Sequence, residues 1–87
     1  MKLIYCITCE DLVKLQPHKR YCQCASSSGR YLDNDTNEVE VSGPCRVLGI
    51  QQGTTRAMVD LAATDPKAGG IISLFILPEI AKTVKRV

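Results

Sequence analysis

The sequence predicts a small α+β domain that is mainly β, and three observations carry that prediction. Two close cysteine pairs, Cys6-Ile-Thr-Cys9 and Cys22-Gln-Cys24, each follow a tyrosine (Tyr5, Tyr21) and lie twelve residues apart. Downstream, segments rich in β-branched and aromatic residues recur between clusters of Gly, Pro, Asn, Asp and Ser, the punctuation expected of consecutive strands. Only one stretch, residues 54–64, places apolar residues (Ala57, Met58, Leu61, Ala62) at helical spacing.

The cysteines organise the rest. Each close pair can deliver two thiolates from one tight turn, and four thiolates make a closed tetrahedral site. Cys6, Cys9, Cys22 and Cys24 are therefore read as ligands of one structural zinc ion, in a zinc ribbon extended by a small antiparallel sheet with one short helix packed on it. Such a site has no vacant position to activate water, so its role is to hold the fold. Iron in a rubredoxin-like electron carrier is the competing occupant, since a tetrahedral sulfur set suits both metals. After the second cysteine of each pair, where glycine usually frees backbone amides for the sulfurs, this chain has Glu10 and Ala25. The Cys-x-Cys spacing of the second pair also leaves room for His18 or Cys45 to replace one ligand.

Length and composition make a metal useful. With 87 residues, no Trp and one Phe, the chain is read as one domain, 1–87, that buries only roughly 60 % of its unfolded surface. Structural zinc adds on the order of 10 kcal/mol to the folding of domains this small. Five cysteines leave a disulfide framework one short, and no secretory leader precedes the first pair, so a reducing, cytoplasmic location is expected. The longest apolar run, Ile71 to Leu77, is far shorter than the roughly 20 residues of a spanning helix, so no membrane partner is expected.

Taken in order, Lys2 to Tyr5 reads as a strand entering the first cysteine turn, and Asp11 to Leu15 as its returning partner. Gln16 to Arg20 is a polar loop broken by Pro17. The tyrosines before each pair are expected to back the cysteine turns, and Ser26 to Gly29 to form a turn or flexible exit. Arg30 to Leu32 and Val39 to Val41 form a hairpin across Asp33 to Asn37, whose residues tolerate left-handed backbone. Ser42-Gly43-Pro44 ends it. Cys45 to Ile50 is a further strand, and a helix capped by Thr54 or Thr55 runs to Thr64, where Asp65-Pro66 stops it. Ile71 to Leu77 reads as a buried strand, and the segment 79–87 as extended chain.

Other candidate sites have ordinary alternatives. Asp33, Asp35 and Asn37 resemble the start of a calcium loop, but Glu38 and Pro44 stand where Gly and Glu belong, so a hairpin turn is the reading. Gly49 to Thr55 has a phosphate-loop flavour without its lysine, which makes binding of a small phosphorylated ligand an alternative function. The net charge is +2 from 11 basic and 9 acidic residues. Residues 1–45 carry five Lys/Arg against six Asp/Glu, and residues 46–87 six against three. A nucleic-acid-binding face, the other alternative, would use Arg46, Arg56, Lys82, Lys85 and Arg86 of the basic half, with Tyr31 as the one exposed ring for base stacking. Cys45 reads as a small buried residue and His18 as an exposed loop residue, so no catalytic pair is visible.

The pattern Cys-x-x-Cys, Cys-x-Cys, Ser-Gly-Arg-Tyr, Val-Ser-Gly-Pro and Phe-Ile-Leu-Pro-Glu resembles a set of small zinc-ribbon-like proteins of bacteria and their phages, a group with no established activity. In that group a glycine often follows the last cysteine, where Ala25 stands here. The resemblance implies a cytoplasmic accessory protein, carried by a phage or other mobile element. Together with the residues it leads to the expectation of a non-enzymatic binding or regulatory module, with another protein as partner and a homodimer as one form of it.

Overall fold

The computed structural model describes the chain apart from Asn34, Ala68, Ile71 and the side chain of Gln52. Among the described residues, eight strands and one helix run in the order β1 (Lys2–Cys6), β2 (Leu12–Lys14), β3 (Arg20–Tyr21), β4 (Ser28–Asp33), β5 (Glu38–Ser42), β6 (Cys45–Ile50), α1 (Gln52–Thr64), β7 (Leu74–Ile76) and β8 (Val84–Arg86). The class is as expected: mainly β, with one helix. The strands divide into two four-stranded sheets, β2-β1-β6-β7 and β3-β4-β5-β8. All pairings are antiparallel except β5 with β8, which is parallel.

Period-two alternation sets the inner faces. In β1, Lys2, Ile4 and Cys6 are buried while Leu3 and Tyr5 are half-buried. In β6, Cys45, Val47 and Gly49 are buried in the same way, and in β5 Val39 and Val41 are. The core gathers Ile4, Val13 and Val47 of the first sheet, Val39 and Val41 of the second, and Leu15 between them, and it runs on into Cys6, Cys22 and Cys45. Fully burying a side chain of this kind contributes about 1.5–3 kcal/mol, so six aliphatic residues make a slight core. Three of its nine members are cysteines, so core and cysteine site share one wall.

The hairpin β4–β5 forms where expected. The Asp33 carboxylate accepts from the Asp35 amide at 2.9 Å, and Asn37 takes φ 58°. Asn34 of the expected turn lies outside the described residues. The buried Lys2 reaches across to donate to the Asn37 carbonyl, and burial lowers its pKa although Glu38 opposes the shift.

Three expectations are corrected. The helix cap is Gln51, not Thr54 or Thr55; Gln51 makes no side-chain cap bond, and Thr55 instead donates its hydroxyl back to the Gln51 carbonyl at 2.9 Å. The helix is not packed on a sheet: Ala57, Leu61 and Ala62 are exposed, and Met58 alone of the expected face is half-buried. Two alanines give that face little to bury. The apolar run also fails to form a buried strand. Among its described residues only β7 forms a strand, an edge strand whose Leu74, Phe75 and Ile76 are all exposed, while Ile71 lies outside the described residues. After Pro78 the chain first turns, at 79–80 and again at 82–83, and only Val84–Arg86 is extended as expected, forming β8. No helix among the described residues is long and apolar enough to cross a membrane.

Candidate metal centre

β1 runs directly into the first cysteine turn, and β2 returns from it, so the strand pair fixes where Cys6 and Cys9 point. The Glu10 amide closes the turn on the Cys6 carbonyl at 2.8 Å, and the Cys6 amide donates to the Asp11 carbonyl at 3.0 Å. The second turn stands between β3 and β4. Here the Ala25 amide donates to the Cys22 carbonyl at 2.9 Å, and the Cys22 amide to the Ser27 carbonyl at 3.0 Å. The two turns are stitched together by the Gln23 amide, which donates to the Asp11 carboxylate at 3.0 Å.

The Sγ atoms of Cys6, Cys9, Cys22 and Cys24 all lie within 4.8 Å of one another. Sulfurs tetrahedrally bound to zinc at about 2.3 Å stand about 3.8 Å apart. Cys6 and Cys24 are 3.8 Å apart and Cys22 and Cys24 3.5 Å, so the four can close on one ion with small side-chain movements. Glu10 and Ala25, the residues after each pair, both adopt φ 61°. This left-handed step is the conformation for which glycine is usually kept, and it turns amides toward the sulfurs. The Cys9 amide lies 3.5 Å from Cys6 Sγ, the Ser27 amide 3.4 Å from Cys22 Sγ, and the Cys24 and Asp11 amides reach Cys9.

Two serines complete the surroundings of the sulfurs. Ser26 Oγ is 2.9 Å from Cys24 Sγ and 3.5 Å from Cys6 Sγ, and Ser27 donates its hydroxyl to Cys6 Sγ at 3.5 Å. The expected turn or flexible exit at Ser26 to Gly29 is thus corrected: Ser27, Ser28 and Gly29 are buried. Gly43 holds the corner in place. Its φ is 90°, and a Cβ there would meet Ser26 O at 2.0 Å, so only glycine lets the β5–β6 turn lie against the serines. The signal in the sequence was the run of hydroxyls two residues past Cys24, which composition alone reads as a turn.

The thiols are unequal. The Ser26 hydroxyl, the Cys9 amide and the Ser27 hydroxyl bring Cys6 down to about 5 despite its burial. At Cys22 burial works upward but is outweighed by the Ser27 amide and the Cys24 thiol, leaving it lowered. At Cys9 the Cys24 amide pulls downward, yet burial and proton sharing with the Cys24 and Cys6 sulfurs raise it to about 11. A set holding at least one ready thiolate and accepting several N–H and O–H donors is suited to a soft or borderline cation. Cys24 is exposed, which gives an entry path.

The other candidates fall outside this group. Cys45 is buried opposite Cys6 in the β1–β6 ladder, and burial raises its thiol although Arg86 opposes the shift. His18 is exposed in the loop before β3. Tyr5 is half-buried and Tyr21 exposed beneath the Lys19 ammonium, so neither ring backs its cysteine turn as expected. Tyr31 is half-buried, and its hydroxyl accepts from the Lys2 amide at 2.7 Å, so it is no stacking platform. Arg46 and Arg86 both pair with Glu79, and Arg56 pairs with Asp60 one helical turn on. Gly49, expected in a phosphate-type turn, lies within β6 under the Phe75 ring. No protein-family model matches the chain, and no match is found among curated proteins or solved structures, so the four-cysteine cluster, able to hold a metal ion, rests on its own geometry.

Proposed function

We propose that Cys6, Cys9, Cys22 and Cys24 hold one structural zinc ion, and that the chain is a non-enzymatic module whose partner is another protein. The carrying observation is the convergence of the four Sγ atoms within 4.8 Å, lined by amides and serine hydroxyls. Four cysteines fill a tetrahedral shell and leave no position for substrate or water. Support for protein binding comes from the region of α1 and β7, where Val59 and Ile72 line one exposed groove and Phe75 and Ile76 are exposed on the edge strand. Isolated apolar residues are normal on a surface, but contiguous ones mark interaction sites. A thiolate centre with a free fifth thiol also fits a reducing compartment such as the cytoplasm.

Elemental analysis of freshly purified protein tests the metal. One zinc per chain and a colourless solution are expected; iron, with a red solution and visible absorption, would instead establish an electron carrier. A chain free of metal whose melting curve a strong chelator leaves unmoved would refute the reading. Photo-crosslinking from position 76 in cells tests the protein partner, and an absence of any crosslinked protein would count against it.

A further inference from the structure

The edge of the first sheet is built to meet itself. Leu77 N–H donates to Val47 O at 2.9 Å, and Ile76 stands opposite Leu48 in the β6–β7 ladder. Hydrogen-bonded and non-hydrogen-bonded pairs alternate in an antiparallel ladder. Phe75 therefore turns its N–H and C=O inward to Gly49, while Leu74 and Ile76 turn theirs outward, away from β6. A twofold axis at Phe75 places Leu74 of one copy opposite the partner's Ile76, so both outward pairs are satisfied at once. Such a contact is isologous and closes after two copies.

Ile80, which is 91 % exposed, follows four residues after Ile76, in the turn closed by the Ala81 amide on the Pro78 carbonyl. Gly70 lies in an apolar groove with Met58, Val59, Ala62 and Ile72, formed where the chain returns against α1. Each copy thus carries one projecting isoleucine and one apolar groove. The exposed apolar surface approaches the area such an interface takes up. At about 200 Å² per fully exposed large apolar residue, Val59, Ile72, Leu74, Phe75, Ile76 and Ile80 offer on the order of 700 Å² per copy, against about 800 Å² per partner in a standard interface.

We propose that two copies of this chain associate through antiparallel pairing of their β7 strands, which covers the exposed apolar residues beside that edge in both. The proposal rests on the protein-binding reading of this surface and narrows it to one occupant. Sedimentation equilibrium of the metal-loaded full chain, between roughly 1 and 200 µM, reaches the weak end of the affinities of interfaces this size and should show a mass twice that of one chain at the upper end. Ile76→Pro removes only an outward N–H, so it should leave the circular dichroism unchanged and abolish the dimer. Leu74→Pro removes the other outward N–H and should weaken association in the same way. Leu32→Asp, on the second sheet, should leave association unaltered. A chain that stays single throughout the range overturns the dimer, leaving the protein-binding reading to its crosslinking test. A dimer indifferent to both Ile76→Pro and Leu74→Pro overturns it equally.

Discussion

Glu10 and Ala25 hold a backbone conformation in which any Cβ is crowded, a strain of about 1–2 kcal/mol for each non-glycine residue. The strain persists because the cysteine turns need that step to aim their amides at sulfur. Glu10→Gly and Ala25→Gly should each raise stability by roughly 0.5–1 kcal/mol, measured by urea unfolding of the metal-loaded protein. The serines act on affinity. Ser26→Ala or Ser27→Ala removes a hydroxyl from the sulfurs and should weaken metal binding about 10- to 100-fold, as loss of outer partners usually does. Competition with a chromophoric chelator would report it. Cys9, raised to about 11, keeps its proton at neutral pH, so binding must expel it. Affinity should therefore climb with pH, about tenfold per unit for each proton released, and calorimetry in buffers of different ionisation enthalpy would count those protons.

β8 is secured by Arg86. The guanidinium donates to Gly43 O at 2.8 Å and Cys45 O at 2.7 Å, and it pairs with Glu79 at 3.2 Å. This planar fork ties the last strand to the β5–β6 turn, the turn that supports the serines over the sulfurs. Arg86→Ala should cost about 1–3 kcal/mol, and Arg86→Lys should not restore it, because an ammonium cannot span both carbonyls. Denaturant titration of both variants decides. The sequence showed Arg86 as a basic residue near Lys82 and Lys85 without its acceptors, which lie some forty positions away. Local pattern did reveal β1, β2, the β4–β5 hairpin, β6 and the extent of the helix, since turn residues and period-two alternation mark each within a few positions. It failed at α1 and β7 for one reason. Apolar character says that a segment can be buried, whereas burial also needs a covering element, and none among the described residues covers them. The grouping of the four cysteines was legible from spacing alone; their serine partners were not, because Ser26 and Ser27 become sulfur neighbours only once Gly43 presses against them.

At the scale of the whole molecule, a core with six aliphatic residues is joined to a site of four sulfurs. Removing the proposed ion should uncouple the two cysteine turns and, with them, the junction of both sheets. Chelation should therefore unfold the chain at room temperature, or lower its midpoint by more than about 10 °C, since structural zinc carries most of the folding free energy of domains this small. Differential scanning calorimetry with and without chelator measures it. The positions of the four cysteines also bear on how fast the chain finds its shape. All four fall between residues 6 and 24, whereas β1 must locate β6 some forty residues away. Closing a short loop is entropically cheaper than closing a long one, so an ion captured early would supply a nucleus on which the distant strand can condense. Refolding begun with zinc already present should run faster than refolding in which zinc is added after dilution from denaturant.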